Sequence, residues 1–149
     1  MPHAIIHYSI GLLLGALTIS SSATPATASR AIDCPTELPA QAIQLSPPLK
    51  GWHFFAESPL YLHSAAPIDG PAEQRGHLME DKVRKERGRE IYIYTLDGSF
   101  PDGKWLQCAS GVHDEITLSK RIDDNTAACT ITYRKGEKAG QNNIQIDCK

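Results

Sequence analysis

No two cysteines in this chain lie close together, and that removes the first chemistry to look for. Structural zinc draws on near pairs such as C-x-x-C, yet the nearest of the four cysteines here are Cys129 and Cys148. Cys108 with His113 matches no recognised ligand spacing. Charge of one sign is missing as well: 15 basic residues stand against 17 acidic ones, so no overall field draws the chain to nucleic acid or anionic lipid. Beyond residue 30 no apolar run is long enough for a membrane span. Internal repeats and low-complexity tracts are absent. His53, His63, His77 and His113 are scattered, with no grouping of serine, histidine and carboxylate that could converge on a reacting atom. These gaps point away from an enzyme and give no reason to expect a metal or cofactor.

What is present starts with an export signal. "IGLLLGALTI" (Ile10 to Ile19) is apolar but short for a bilayer, and small residues follow it. Ala26-Thr27-Ala28 has the A-x-A form of a signal-peptidase site. Residues 1–28 are therefore expected to be a signal peptide, leaving 29–149 as one exported domain in the periplasm. The basic n-region is weak, since only His3 and His7 could carry charge there.

An even number of cysteines in an exported chain implies disulfides and leaves no free thiol for catalysis. About 120 residues suffice for one core, and ten prolines and eleven glycines between short apolar runs suit an all-β domain. Strands are expected in "AIQL" (42–45), "GWHFFA" (51–56), "PLYLHSA" (59–65), "REIYIYTL" (89–96), "KWLQCAS" (104–110), "EITLSKRI" (115–122), "CTITYRK" (129–135) and "NIQIDCK" (143–149). "DGSFPDGK", "GVHD", "DDNTAA" and "GEKAGQN" carry the turn chemistry between them. Seven or eight strands at this spacing describe a mainly antiparallel sandwich or open barrel.

Period two places each strand cysteine on an apolar face: Leu106 with Cys108, Cys129 with Ile131 and Tyr133, Ile144 and Ile146 with Cys148. Buried half-cystines belong there; a reactive thiolate needs an electropositive, partly exposed setting. Four cysteines allow three pairings. Cys108 with Cys129 and Cys34 with Cys148 is the favoured set, at about 3 and about 5 kcal/mol in the loop-entropy model. The rival, Cys129 with Cys148 and Cys34 with Cys108, is of similar energy.

Two segments could meet a partner. "EDKVRKERGRE" (80–90) is the densest charged run. Arg84, Lys85, Arg87 and Arg89 would contact an acidic partner, or the run is a solvated hairpin whose charges cancel. His113, Asp114 and Glu115 would form a stiff acidic projection suited to a basic groove, because a pre-ordered loop loses little entropy on binding. Trp52 and Trp105 stand in strand contexts and are expected in the core.

Several motifs together have a known look: Cys34-Pro35, Gly51-Trp52, Gly70-Pro71-Ala72-Glu73, Trp105-Leu106-Gln107-Cys108, Cys129-Thr130-Ile131-Thr132-Tyr133 and Ile146-Asp147-Cys148. The set resembles a family of small exported proteobacterial proteins, some encoded near type VI secretion loci. Ser110 stands where members often carry an aromatic residue. The resemblance implies a periplasmic binding protein with no catalytic residues. Its most concrete form is an immunity protein against a cell-wall-targeting (peptidoglycan-targeting) toxin. The other form is a structural or interaction protein of the envelope with no enzyme target.

Overall fold

The computed structural model describes Met1 and residues 30–149; the expected signal peptide and its cleavage site at Ala28 lie outside the described residues. In chain order the strands are β1 (Arg30–Ala31), β2 (Glu37–Leu38), β3 (Leu60–Asp69), β4 (Gly76–His77) and β5 (Lys82–Glu86). They continue with β6 (Arg89–Thr95), β7 (Lys104–Ser110), β8 (Ile116–Arg121), β9 (Ala128–Lys135) and β10 (Asn142–Cys148). Every pairing is antiparallel. One sheet runs β1-β10-β9-β6-β5; the other runs β2-β3-β7-β8, with β4 on the outer edge of β3. The sandwich reading holds, and no barrel closes.

Alternation builds the core. On β6, Tyr92 and Tyr94 turn inward with Leu96 after them, while Ile91 and Ile93 take the opposite face. Leu106 and Cys108 on β7, Cys129 and Ile131 on β9, and Ile146 and Cys148 on β10 meet Leu62 and Ala65 of β3 in one cluster. Cys108, Cys129 and Cys148 each lie on the apolar face of their strand, as period two requires.

The favoured disulfide pairing is wrong. The bridges are Cys34–Cys108 and Cys129–Cys148. β7 and β9 belong to different sheets. Cys129 faces Cys148 directly across β9 and β10, with Cα atoms 4.2 Å apart. Ala128 and Lys149 next to them exchange both backbone hydrogen bonds, so the cysteines occupy a non-hydrogen-bonded pair, the closer kind. Cys34 lies between β1 and β2, where the chain crosses from one sheet to the other, and its bridge ties that crossing to β7.

Two expected strands do not form. Residues 40–42 make a single 3-10 turn, and 51–56 have no strand partner. Trp52, expected in the core, is 78% exposed. Local propensity favoured a pleated surface there, but Pro47 and Pro48 remove donors and Gly51 (φ +82) turns the chain, with Trp52 N–H donating to the Leu49 carbonyl. Trp105 is half-buried on β7 and its indole N–H donates to the Asp102 carbonyl at 3.1 Å.

Candidate partner-binding face

Strand register within each sheet, together with the His63–Gly140 and Asn142–His63 hydrogen bonds between the sheets, fixes which loops share an end of the sandwich. Lys135 pairs with Asn142, Glu86 with Arg89, Leu62 with Ser110, and Glu37 with Tyr61. The β9–β10 turn, the β5–β6 turn, the β7–β8 turn and the long β2–β3 loop therefore project from the same end. Cross-links between these segments hold it. The His63 ring Nδ1 lies 2.8 Å from the Gly140 carbonyl, and Asn142 Nδ2 donates to the His63 carbonyl at 2.6 Å. The Ser64 hydroxyl donates to Asp114 Oδ1 at 2.9 Å. Val112 packs so closely on Gly140 that a Cβ there would meet its Cγ1 at 2.3 Å.

The structure brings both sequence-predicted segments to this end. In the β7–β8 turn His113, Asp114 and Glu115 are all exposed. Asp114 adopts a left-handed conformation (φ +57), its N–H donates to the Gly111 carbonyl, and the His113 N–H donates to Glu115 Oε2 at 3.0 Å. That backbone donor holds the Glu115 carboxyl below its ordinary range. The turn is thus ordered, but one oxygen of each carboxylate is engaged by the fold.

The charged run is a hairpin, with β5 exposed along its whole length and Arg87-Gly88 as a two-residue turn. Lys85 pairs with Glu90 at 3.0 Å and Arg89 pairs with Glu86. Glu90 is held below its usual pKa first by that lysine. Arg84 and Arg87 enter no ion pair among the described residues. Between this hairpin and β3 runs a groove of about 630 Å³ with Tyr92 and Tyr133 in its wall and Arg134 and Lys135 at its margin. The two tyrosine rings meet edge to face, 5.1 Å between centroids.

Sequence reasoning missed a third element. The β2–β3 loop, residues 39–59, exposes Leu45, Leu49, Trp52, Phe54 and Phe55 around a cleft of about 640 Å³. The signal was available: aromatic residues next to a Pro-Pro pair and a turn glycine cannot all be strand. A separate cleft of about 680 Å³ lies at the opposite end, by Arg30, Lys120 and Lys149.

Among the described residues no group of three His, Cys, Asp or Glu side chains could hold a metal, and no helix is long and apolar enough to cross a membrane. Rigid sheets carrying ordered loops at one end are the architecture of a binding scaffold. Residues 57–149 match the family described as Type VI secretion system Tli immunity protein, and the chain belongs to that family. No curated protein and no solved structure matches the chain.

Proposed function

We propose that this protein is a periplasmic immunity protein that binds a toxin of the type VI pathway and blocks it by occupancy, without catalysis of its own. The observation that carries the reading is family membership over residues 57–149, on a domain whose two disulfides suit an oxidising compartment. Residues 1–28 act as the signal peptide, and the mature chain begins at Ser29. The toxin is met by the loop end: Asp114 and Glu115 with His113 on one side, Arg84, Lys85 and Arg87 of the hairpin on the other. Opposite charges on neighbouring loops orient an encounter more than they strengthen the final complex.

The test is to direct the type VI effector encoded beside this gene to the periplasm, with and without this protein. Rescue of growth is expected. Equally poor growth in both strains contradicts the immunity reading. The products released during intoxication identify the target: muropeptides mark peptidoglycan, the target implied by the resemblance, whereas free fatty acids mark the membrane.

A further inference from the structure

Among the described residues, the 39–59 loop gathers five of the exposed large apolar side chains in one segment. Trp52 is 78% exposed, Phe55 83%, Leu49 60%, Phe54 45% and Leu45 44%. Solvent-facing side chains of this size sum to on the order of 600 Å² of apolar area. A contiguous patch of that size on a soluble domain marks an interaction site. The loop is also tied down. β2 pairs with β3 at its base (Leu38 with Leu60), Cys34 is bridged to Cys108 just before it, and the Leu49–Trp52 turn closes on its own hydrogen bond. An ordered loop presenting Trp and Phe has the composition of an interface anchor.

Four occupants could cover it, and three fit badly. Two copies would together bury about 1,200 Å², well short of the roughly 2,000–5,000 Å² of an obligate homodimer. An anionic membrane surface calls for several basic residues beside the aromatics, but within 39–59 the only fixed charges are Lys50 and Glu57. The chain before Arg30 is, on the reading proposed above, removed with the signal peptide and leaves only Ser29. A nearly uncharged aromatic surface of about three-quarters of one side of a standard interface fits an apolar cleft on a protein.

We propose that the 39–59 loop anchors the toxin, with Trp52 and Phe55 entering an apolar cleft of the toxin protein. This rests on the immunity reading and names the part of the loop end that carries affinity. The family match begins at residue 57, so nearly all of the anchor lies outside the matched segment. The charged β7–β8 turn and hairpin tip supply the polar rim.

The experiment titrates the purified effector encoded beside this gene with the mature protein and with Trp52→Ser/Phe55→Ser. Both side chains point into solvent, so the variant folds, which an unchanged thermal midpoint checks. Affinity is expected to fall 100-fold or more, mostly as faster dissociation. In the intact protein, 5-fluorotryptophan at Trp52 is expected to shift its ¹⁹F resonance on binding. Equal affinity of the variant overturns the anchor while leaving the immunity reading in place. Failure of the unmodified protein to bind the effector overturns the immunity reading, and the anchor with it. Two controls address the other occupants: sedimentation with phosphatidylethanolamine/phosphatidylglycerol vesicles, and sedimentation equilibrium of the protein alone. Loop-dependent vesicle binding, or a loop-dependent dimer, assigns the surface elsewhere and overturns the proposal.

Discussion

The Tyr133 hydroxyl fastens one sheet to the other through the backbone of Ala65. It accepts the Ala65 N–H at 3.0 Å and donates to the Ala65 carbonyl. β2 and β4 cover only the two ends of the outer edge of β3, leaving Ala65 without a strand partner on that side. A phenol from β9 takes the strand's place. Burial raises the Tyr133 pKa, so the hydroxyl stays protonated and able to donate at physiological pH.

Tyr133→Phe should therefore cost more than an ordinary hydroxyl deletion, because it orphans a backbone donor and an acceptor together. Leaving a buried polar group unpaired costs about 1–3 kcal/mol. Urea unfolding should show a lower midpoint with an unchanged slope. A loss under about 0.5 kcal/mol would mean that water replaces the hydroxyl at no cost.

Non-reducing peptide mapping should recover Cys34–Cys108 and Cys129–Cys148 as the linked pairs. With 74 and 19 residues of separation, the loop-entropy model assigns them about 4.5 and about 3.3 kcal/mol. Replacing both cysteines of either bridge by serine should lower stability in that range, the longer loop losing more. Recovery of a Cys108–Cys129 peptide would contradict the bridge across β9 and β10 and the one that ties Cys34 to β7.

The β7–β8 turn should loosen in acid. The Glu115 carboxyl is held below the usual glutamate range in the fold because the His113 N–H stabilises its charged form. A lowered carboxylate pKa stabilises the folded state above the unfolded value, and the gain disappears as pH falls through the folded one. Side-chain carboxyl NMR should give a Glu115 midpoint below that of an unperturbed glutamate. Amide exchange at His113, corrected for intrinsic rate, should quicken below that midpoint. In Glu115→Gln the exchange should lose this pH step.

Arg84→Glu/Arg87→Glu should slow association with the toxin several-fold at low salt and much less at high salt, because these arginines enter no ion pair among the described residues and steer the encounter. Lys85→Ala should do less, its charge already being engaged by Glu90. Equal effects from the two variants, independent of salt, would deny the hairpin a steering role.

Most strands were legible because each declares itself locally: "KWLQCAS" and "REIYIYTL" alternate cleanly and end at turn residues, and β7 spans Lys104–Ser110 as read. Cysteine pairing was not legible, because it depends on which sheet a strand joins. β7 and β9 carry the same kind of pattern, and nothing local separates Cys129's partner across the ladder from one in the facing sheet. The loop energies could not decide it either, since the two pairings close loops of similar cost. The aromatic loop failed for the opposite reason. Trp52, Phe54 and Phe55 favour strand by type, yet no neighbouring segment offers them a ladder, and a strand without a partner does not form.

Hydrogen exchange of the mature protein, free and bound to its effector, tests most directly that the loop end meets the toxin. Protection on binding should concentrate in residues 39–59, 111–115 and the β5–β6 turn, with little change around Arg30, Lys120 and Lys149 at the other end. Protection confined to that other end, with 39–59 and 111–115 exchanging as in the free protein, would contradict the account.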